Sequence, residues 1–133
     1  MFNDNGRLNW TVLIVDDDID NLTVAAQVLR FHGATIHAAE DGHEALEILS
    51  HIEPTLIILD LSMPKMDGWT MLGRLKDNPR TASIPVIAVT AHAMAGDRDR
   101  VLKAGFDAYI SKPFDIMTFM EVIKKIVDQL ALP

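Results

Sequence analysis

The sequence predicts an α/β domain in which five short parallel strands alternate with five helices. Short apolar runs recur along the chain, and each is too short to be a helix. Stretches with apolar residues at helical spacing fill the gaps between these runs. The chain has 133 residues, of which 49% are hydrophobic, so it fits one domain with a substantial core.

The three central strands are predicted where the runs are apolar on both faces, at residues 11–15, 56–59 and 86–89. Central strands of a parallel sheet covered by helices on both sides have this composition. Residues 34–38 alternate apolar with polar and residues 107–111 are mixed, which is typical of edge strands. With right-handed crossovers, these edges give the strand order 2-1-3-4-5, a flavodoxin-like doubly wound (βα)5 sandwich.

The helices differ in how firmly they are expected to pack. Asp20 is a candidate N-cap of the first helix, with Asp18 as a second candidate, and Gly33 is its candidate stop. Residues 95–104 are nearly all polar at their centre, so we expect a loosely packed, exposed helix there. Residues 1–10 are expected to be a flexible N-terminal tail, and residues 11–133 to form the domain. The last helix is expected to carry an apolar stripe of Ile116, Phe119, Met120, Ile123, Val127 and Leu130.

Composition argues against several classes of function. The formal net charge of −7 argues against a nucleic-acid binder and against a basic membrane-surface module. The absence of cysteine excludes disulfides, thiolate catalysis and cysteine-based metal sites. No apolar run approaches the length of a membrane span, and the N-terminus lacks the pattern of a secretory signal. We therefore expect a cytoplasmic protein that is monomeric or weakly associating.

Residues capable of chemistry follow the predicted strands at their carboxyl ends. Asp16 and Asp17 follow the first strand, Asp60 the third, Thr90 the fourth and Lys112 the fifth. In a parallel sheet these ends meet at one edge, so we expect the side chains to share a crevice. Crowded acids raise at least one pKa unless cations balance them. Lys112 supplies one positive charge, and carboxylate oxygens favour Mg²⁺ as the other.

Together these side chains match the chemistry of phosphoryl transfer. Asp60 is the candidate nucleophile that attacks phosphorus in line, while Lys112 and Mg²⁺ stabilise charge on the phosphoryl oxygens. Thr90 is a candidate hydrogen-bond donor to the same group. Each residue taken singly has a plainer interpretation as a cap, a turn residue or a solvated side chain, and their joint placement favours the functional one.

Four segments, residues 12–17, 56–68, 86–91 and 109–114, closely resemble two-component response-regulator receiver domains. The resemblance implies a phosphorelay module that takes a phosphoryl group from a histidine kinase or a histidine phosphotransfer protein, with Mg²⁺ or Mn²⁺ as cofactor. It implies catalysis only of the domain's own phosphorylation and dephosphorylation. Phosphorylation would then change the surface formed by the fourth helix, fifth strand and fifth helix, which a downstream effector protein would bind. The domain would be a monomer or a phosphorylation-dependent dimer.

The resemblance also implies a role for each site residue. Asp60 matches the phosphoacceptor, and Thr90 and Lys112 match the hydroxyl and the lysine that assist it. Tyr109 matches the switch aromatic, which moves inward when Thr90 engages the phosphoryl group. Asp17 is expected to bind the metal directly. The implied metal ligands are Asp16, Asp17, Asp60 and the backbone carbonyl of Ser62.

An enzyme is the alternative. Haloacid-dehalogenase-type phosphatases also use a nucleophilic aspartate, Mg²⁺, a hydroxyl and a lysine, and Asp16 with Asp18 reads as their Asp-x-Asp. Those enzymes need further acids after the fourth strand, where this chain has Thr90 and Ala91, and they usually carry a cap. A flavin- or nucleotide-binding domain is disfavoured because no glycine-rich loop follows the first strand.

Overall fold

The computed structural model describes residues 10–63, 65–91, 97–112 and 115–130. Within them, strands and helices alternate strictly along the chain. In chain order the elements are β1 (Thr11–Val15), α1 (Ile19–Phe31), β2 (Thr35–Ala39), α2 (Gly42–Leu49), β3 (Leu56–Asp60), α3 (Gly68–Asp77), β4 (Val86–Thr90), α4 (Asp97–Ala104), β5 (Ala108–Ser111) and α5 (Ile116–Leu130).

The strands form one parallel sheet in the order β2-β1-β3-β4-β5, as predicted. The edges are β2 and β5, the two segments whose composition is less apolar. Compared with the prediction, β3 and β4 each extend one residue further, so Asp60 and Thr90 are the last residues of their strands. The chain order reverses between β1 and β3, and a crevice forms outside the carboxyl ends at such a switch point.

Apolar side chains on both faces of the sheet build two cores. In β1, Val12 and Ile14 pack into the core beneath α1 and α5, whereas Leu13 and Val15 pack into the core beneath α2, α3 and α4. Every residue of β3 and β4 is buried. This two-sided burial explains why the central strands are apolar at successive positions rather than at alternate ones.

The N-cap of α1 is Asp18, the second candidate, and the prediction that Asp20 caps the helix is wrong. Asp18 has an extended backbone, and its carboxylate accepts the N–H groups of Asp20 and Asn21. Asp20 already lies inside the first turn, where its own N–H needs an acceptor. At the other end of α1, Gly33 has a φ of 100°, the left-handed conformation that ends a helix, and the predicted stop is confirmed.

The N-terminal boundary lies earlier than the tail prediction suggests. Trp10 is only 3% exposed and packs into the core beneath α1 and α5, and its carbonyl accepts the N–H of Thr35 at 2.8 Å. Trp10 therefore belongs to the folded domain. Residues 1–9 of the predicted tail lie outside the described residues.

The last two helices bear out the apolar patterns with one correction. In α5, Phe119, Met120 and Ile123 are buried as predicted, but Ile116 is 58% exposed and belongs to a first turn whose residues 116–118 are all exposed. The side chains of Val127 and Leu130 fall outside the described part of the chain. In α4, Val101 is buried and its neighbours are mostly exposed, as expected of a polar helix. None of the helices in the described ranges combines the length and apolar character needed to cross a bilayer.

Candidate functional site

Two acids reach the crevice from the end of β1. The N–H of Asp16 donates to the carbonyl of Ala39 at 3.0 Å, which ties the residue to the end of the neighbouring strand β2. One oxygen of its carboxylate accepts the N–H of Asp18 at 2.9 Å. Asp16 is 5% exposed, whereas Asp17 is exposed to solvent. The pair therefore presents one buried and one solvent-facing carboxylate.

The third acid, Asp60, ends β3 and is 3% exposed. Its carboxylate accepts the N–H of Ser62 at 3.1 Å. The next residue, Leu61, donates its N–H to the carbonyl of Val89 at 3.0 Å, so the chain after Asp60 stays attached to β4. These bonds hold the carboxylate at the carboxyl end of the sheet.

The first turn of α3 packs directly onto the end of β3. Gly68 donates its N–H to the carbonyl of Leu61 at 3.0 Å. A Cβ at Gly68 would lie 2.6 Å from the carbonyl oxygen of Asp60 and 2.7 Å from the Cα of Leu61. Only glycine fits without displacing this backbone, and the first turn of α3 therefore packs directly against the backbone of Asp60 and Leu61.

Lys112 joins the two buried acids. Its Nζ lies 2.9 and 3.1 Å from the two carboxylate oxygens of Asp16 and 3.4 Å from one carboxylate oxygen of Asp60. Its backbone N–H donates to the carbonyl of Thr90 at 2.7 Å, which fixes the end of β5 beside β4. A lysine this well buried is stable in its charged form only beside acids.

The pKa values of Asp60 and Lys112 are both shifted by burial and by the neighbouring charges. Burial, followed by the negative charge of Asp16, raises the pKa of Asp60 to about 7, although the hydrogen bond from the Ser62 N–H and the positive charge of Lys112 each lower it. For Lys112, burial alone would lower the pKa, but the hydrogen bonds and charges of Asp16 and Asp60 outweigh it, and the pKa ends above its ordinary value. One lysine thus leaves the buried acids under-neutralised.

A divalent cation fits this donor set. Asp16, Asp17 and Asp60 each offer a carboxylate oxygen, and these oxygens lie within 4.8 Å of one another. Hard oxygen donors of this kind suit Mg²⁺ or Mn²⁺. An open depression of about 440 Å³ lies over the cluster. It is lined by Asp17, Asp18, Asn21, Asp60, Ser62, Ala91 and Lys112.

Thr90 and Tyr109 lie towards α4. Thr90 is buried at the end of β4 and lines a smaller cavity of about 180 Å³ that also reaches Ser62. Tyr109 sits in β5 opposite Ala88 of β4 and packs against the core beneath α4. Burial, followed by the charge of Asp97, raises the pKa of Tyr109 above its ordinary value. The tyrosine is therefore beside the helix, not in the acidic crevice.

The structure brings most of the predicted residues to one place. Asp16, Asp17, Asp60 and Lys112 form one cluster, and Ser62 lines both cavities. Sequence reasoning missed Asn21, which lines the depression from the first turn of α1. It also missed Trp69 and Arg100, which line the cavity beside Thr90. Asn21 could have been indicated by its position three residues after the N-cap Asp18, whose carboxylate accepts a hydrogen bond from the Asn21 amide, but no local pattern joins Trp69 to Arg100.

Comparison with known proteins agrees with this geometry. Residues 12–124 match the family model of the response regulator receiver domain. The polar-differentiation response regulator DivK of Brucella anthropi is 38% identical over 114 residues, which cover 86% of this chain and 93% of DivK.

Solved structures give the same result. A response regulator from Desulfuromonas acetoxidans is 32% identical with a TM-score of 0.80, covering 91% of this chain and 98% of its own. The receiver domain of a signal transduction histidine kinase from Syntrophus aciditrophicus is 32% identical with a TM-score of 0.78, covering 90% and 91%. None of these matches supports the phosphatase alternative.

Proposed function

The chain belongs to the response regulator receiver domain family, and we propose that it accepts a phosphoryl group on Asp60 and passes the signal to a partner protein. One observation carries the proposal. A buried aspartate at the carboxyl end of a central strand contacts a buried lysine, and two further acids lie within metal-binding distance.

The nucleophile is the carboxylate of Asp60. One of its oxygens accepts the Ser62 N–H and the other faces Lys112 Nζ. An oxygen of this carboxylate attacks phosphorus in line. The new P–O bond forms as the bond from phosphorus to the donor breaks, and the electron pair of that bond leaves with the donor atom, an imidazole nitrogen in a phosphohistidine.

Charge stabilisation comes from the residues around the nucleophile. Lys112 already lies 3.4 Å from Asp60, so its ammonium faces the place where the phosphoryl oxygens gather negative charge. Thr90, at the end of the adjacent strand, supplies a hydroxyl to the same group. Asp16 holds Lys112 through both carboxylate oxygens and so positions the ammonium.

The acidic cluster is the place for a divalent cation. Asp16, Asp17 and Asp60 would bind it with the backbone carbonyl of Ser62, and Asp17 is the acid that faces solvent. When bound, Mg²⁺ or Mn²⁺ neutralises the carboxylates and the phosphoryl oxygens.

The output is a change of surface on the α4–β5–α5 side. Engagement of Thr90 by the phosphoryl group frees space towards Tyr109, which packs against the core beneath α4. Helix α4 is mostly exposed, so its position can change at low cost. The phosphoryl donor is a histidine kinase or a phosphotransfer protein, and an effector protein binds the changed surface. The chain is a monomer or dimerises on phosphorylation.

Acetyl phosphate with Mg²⁺ tests the proposal by intact-protein mass spectrometry. We expect one phosphoryl group per chain, lost in Asp60→Asn and after chelation of the metal. Asp17→Asn should need much more Mg²⁺ for the same labelling. Labelling that persists in Asp60→Asn would refute the assignment of the phosphoacceptor, whereas continuous turnover of varied phosphate esters would support a phosphatase instead.

A further inference from the structure

Helix α4 is attached to the domain by few apolar contacts. Of the described residues of α4, Val101 is the buried one, and Leu102 is 38% exposed. A helix anchored by so little apolar area depends on its remaining contacts for its position. Those contacts therefore decide how readily it moves.

The contact of interest joins α4 to the first turn of α3. The guanidinium carbon of Arg100 lies 4.9 Å from the centre of the Trp69 ring, within the range of a cation–π interaction. The Trp69 ring is itself fixed by the buried Phe106, edge to face at a centroid distance of 5.6 Å. Arg100 thus reaches across from the weakly anchored helix to a well-anchored ring.

The same two residues border the site. Arg100 and Trp69 line the cavity of about 180 Å³ that also has Thr90 and Ser62 in its walls. A displacement of the Thr90 side chain changes this cavity directly. The Arg100–Trp69 contact therefore connects the wall of the cavity beside Thr90 to the helix that would respond to phosphorylation.

We propose that the stacking of Arg100 on Trp69 is a latch that holds α4 in its unphosphorylated position and is released when Asp60 is phosphorylated. The proposal rests on the proposed function, since it needs a phosphoryl group to draw Thr90 away from the cavity. A ligand shifts a conformational equilibrium only through contacts that differ between the two states. The stack is such a contact, because it weakens as the guanidinium leaves the ring face.

The test uses beryllofluoride as a phosphoryl mimic, with Mg²⁺, on the full chain. The sequence has one tyrosine, so 3-fluorotyrosine labelling gives one ¹⁹F signal, from Tyr109. We expect Arg100→Ala to lower the beryllofluoride concentration at half-conversion about two- to fivefold, which is about 0.4–1 kcal/mol at 1.4 kcal/mol per factor of ten. Arg98→Ala removes an exposed arginine of the same helix and should leave the midpoint unchanged.

A second pair of variants separates the latch from a general effect on α4. In a Trp69→Phe background the ring and its packing on Phe106 are largely kept, but the cation–π attraction is weaker. Arg100→Ala should then change the midpoint less than in the wild type, which is the coupling that a double-mutant cycle measures. Equal effects in both backgrounds would place the action of Arg100 elsewhere and overturn the latch.

The failures are distinguishable. If wild-type protein neither binds beryllofluoride nor takes a phosphoryl group from acetyl phosphate, the proposed function fails and the latch fails with it. If the wild type responds but Arg100→Ala has the same midpoint as Arg98→Ala, or a higher one, the latch alone is refuted.

Discussion

Asp60→Asn should make the protein more stable when no metal is present. The substitution keeps the shape of the side chain, and its amide oxygen can still accept the Ser62 N–H. It removes one of two buried negative charges that share a single lysine. A residue proposed to perform the chemistry is thus expected to cost stability.

The magnitude follows from the pKa of Asp60. A pKa of about 7 against the ordinary value of 3.8 means that the fold disfavours the ionised carboxylate. At 1.36 kcal/mol per pKa unit, the ionised carboxylate costs the folded state roughly 4 kcal/mol when the pH is above neutral. That figure already includes the attraction of Lys112 for the carboxylate. The amide is itself costly to bury, so we expect a net gain of about 1–3 kcal/mol.

Urea unfolding in EDTA measures the effect as a function of pH. Because the folded pKa is raised, the unfolded state releases its proton first, and the wild type loses stability as pH rises from about 4 to about 7. The advantage of Asp60→Asn should grow over that window and level off above it. Asp17→Asn, at an exposed acid of the same cluster, should change stability by less than about 0.5 kcal/mol. The charge-crowding explanation would be refuted if Asp60→Asn were less stable than the wild type at pH 8, or if its gain in stability did not change with pH.

Three further substitutions probe the framework of the site. Gly68→Ala should cost about 1–3 kcal/mol and slow phosphorylation, because its methyl group would collide with the backbone of Asp60 and its neighbour; in Gly73→Ala, where the added methyl meets nothing, urea unfolding should show a gain of up to about 1 kcal/mol. Lys112→Met leaves two buried carboxylates without their cation, so we expect phosphorylation by acetyl phosphate to slow by roughly tenfold or more; an unchanged rate would remove the lysine from the chemistry. Thr81→Val deletes a buried hydroxyl that donates to the last turn of α3 at 2.6 Å, and calorimetry should show a loss of about 1–2 kcal/mol without any change in phosphorylation.

The sheet and the acidic cluster were predictable because they follow from patterns that are local in sequence. Each central strand is an unbroken apolar run, and Asp16, Asp60 and Lys112 each stand at or just after the end of a strand. Parallel topology alone then brings the side chains to one edge. The resemblance to response-regulator receiver domains, which rested on the same four segments, is confirmed by the family match over residues 12–124.

What sequence reasoning missed depends on single-residue register or on tertiary contact. Asp18 and Asp20 are both good capping residues, and only the backbone conformation at Asp18 decides between them. Ile116 has helical spacing with the buried stripe but lies in the first turn of α5, whose residues 116–118 are exposed. The Arg100–Trp69 stack joins residues from two helices whose relative position the pattern does not specify.

The central claim is that Asp60 carries the phosphoryl group, and chemical trapping locates it most directly. Borohydride reduces an acyl phosphate on aspartate to homoserine, and peptide mass spectrometry then identifies the converted position. After treatment with acetyl phosphate and Mg²⁺, homoserine is expected at position 60, and none in a sample incubated with EDTA. Conversion at Asp16 or Asp17 instead, or no conversion while the metal is present, would contradict the account.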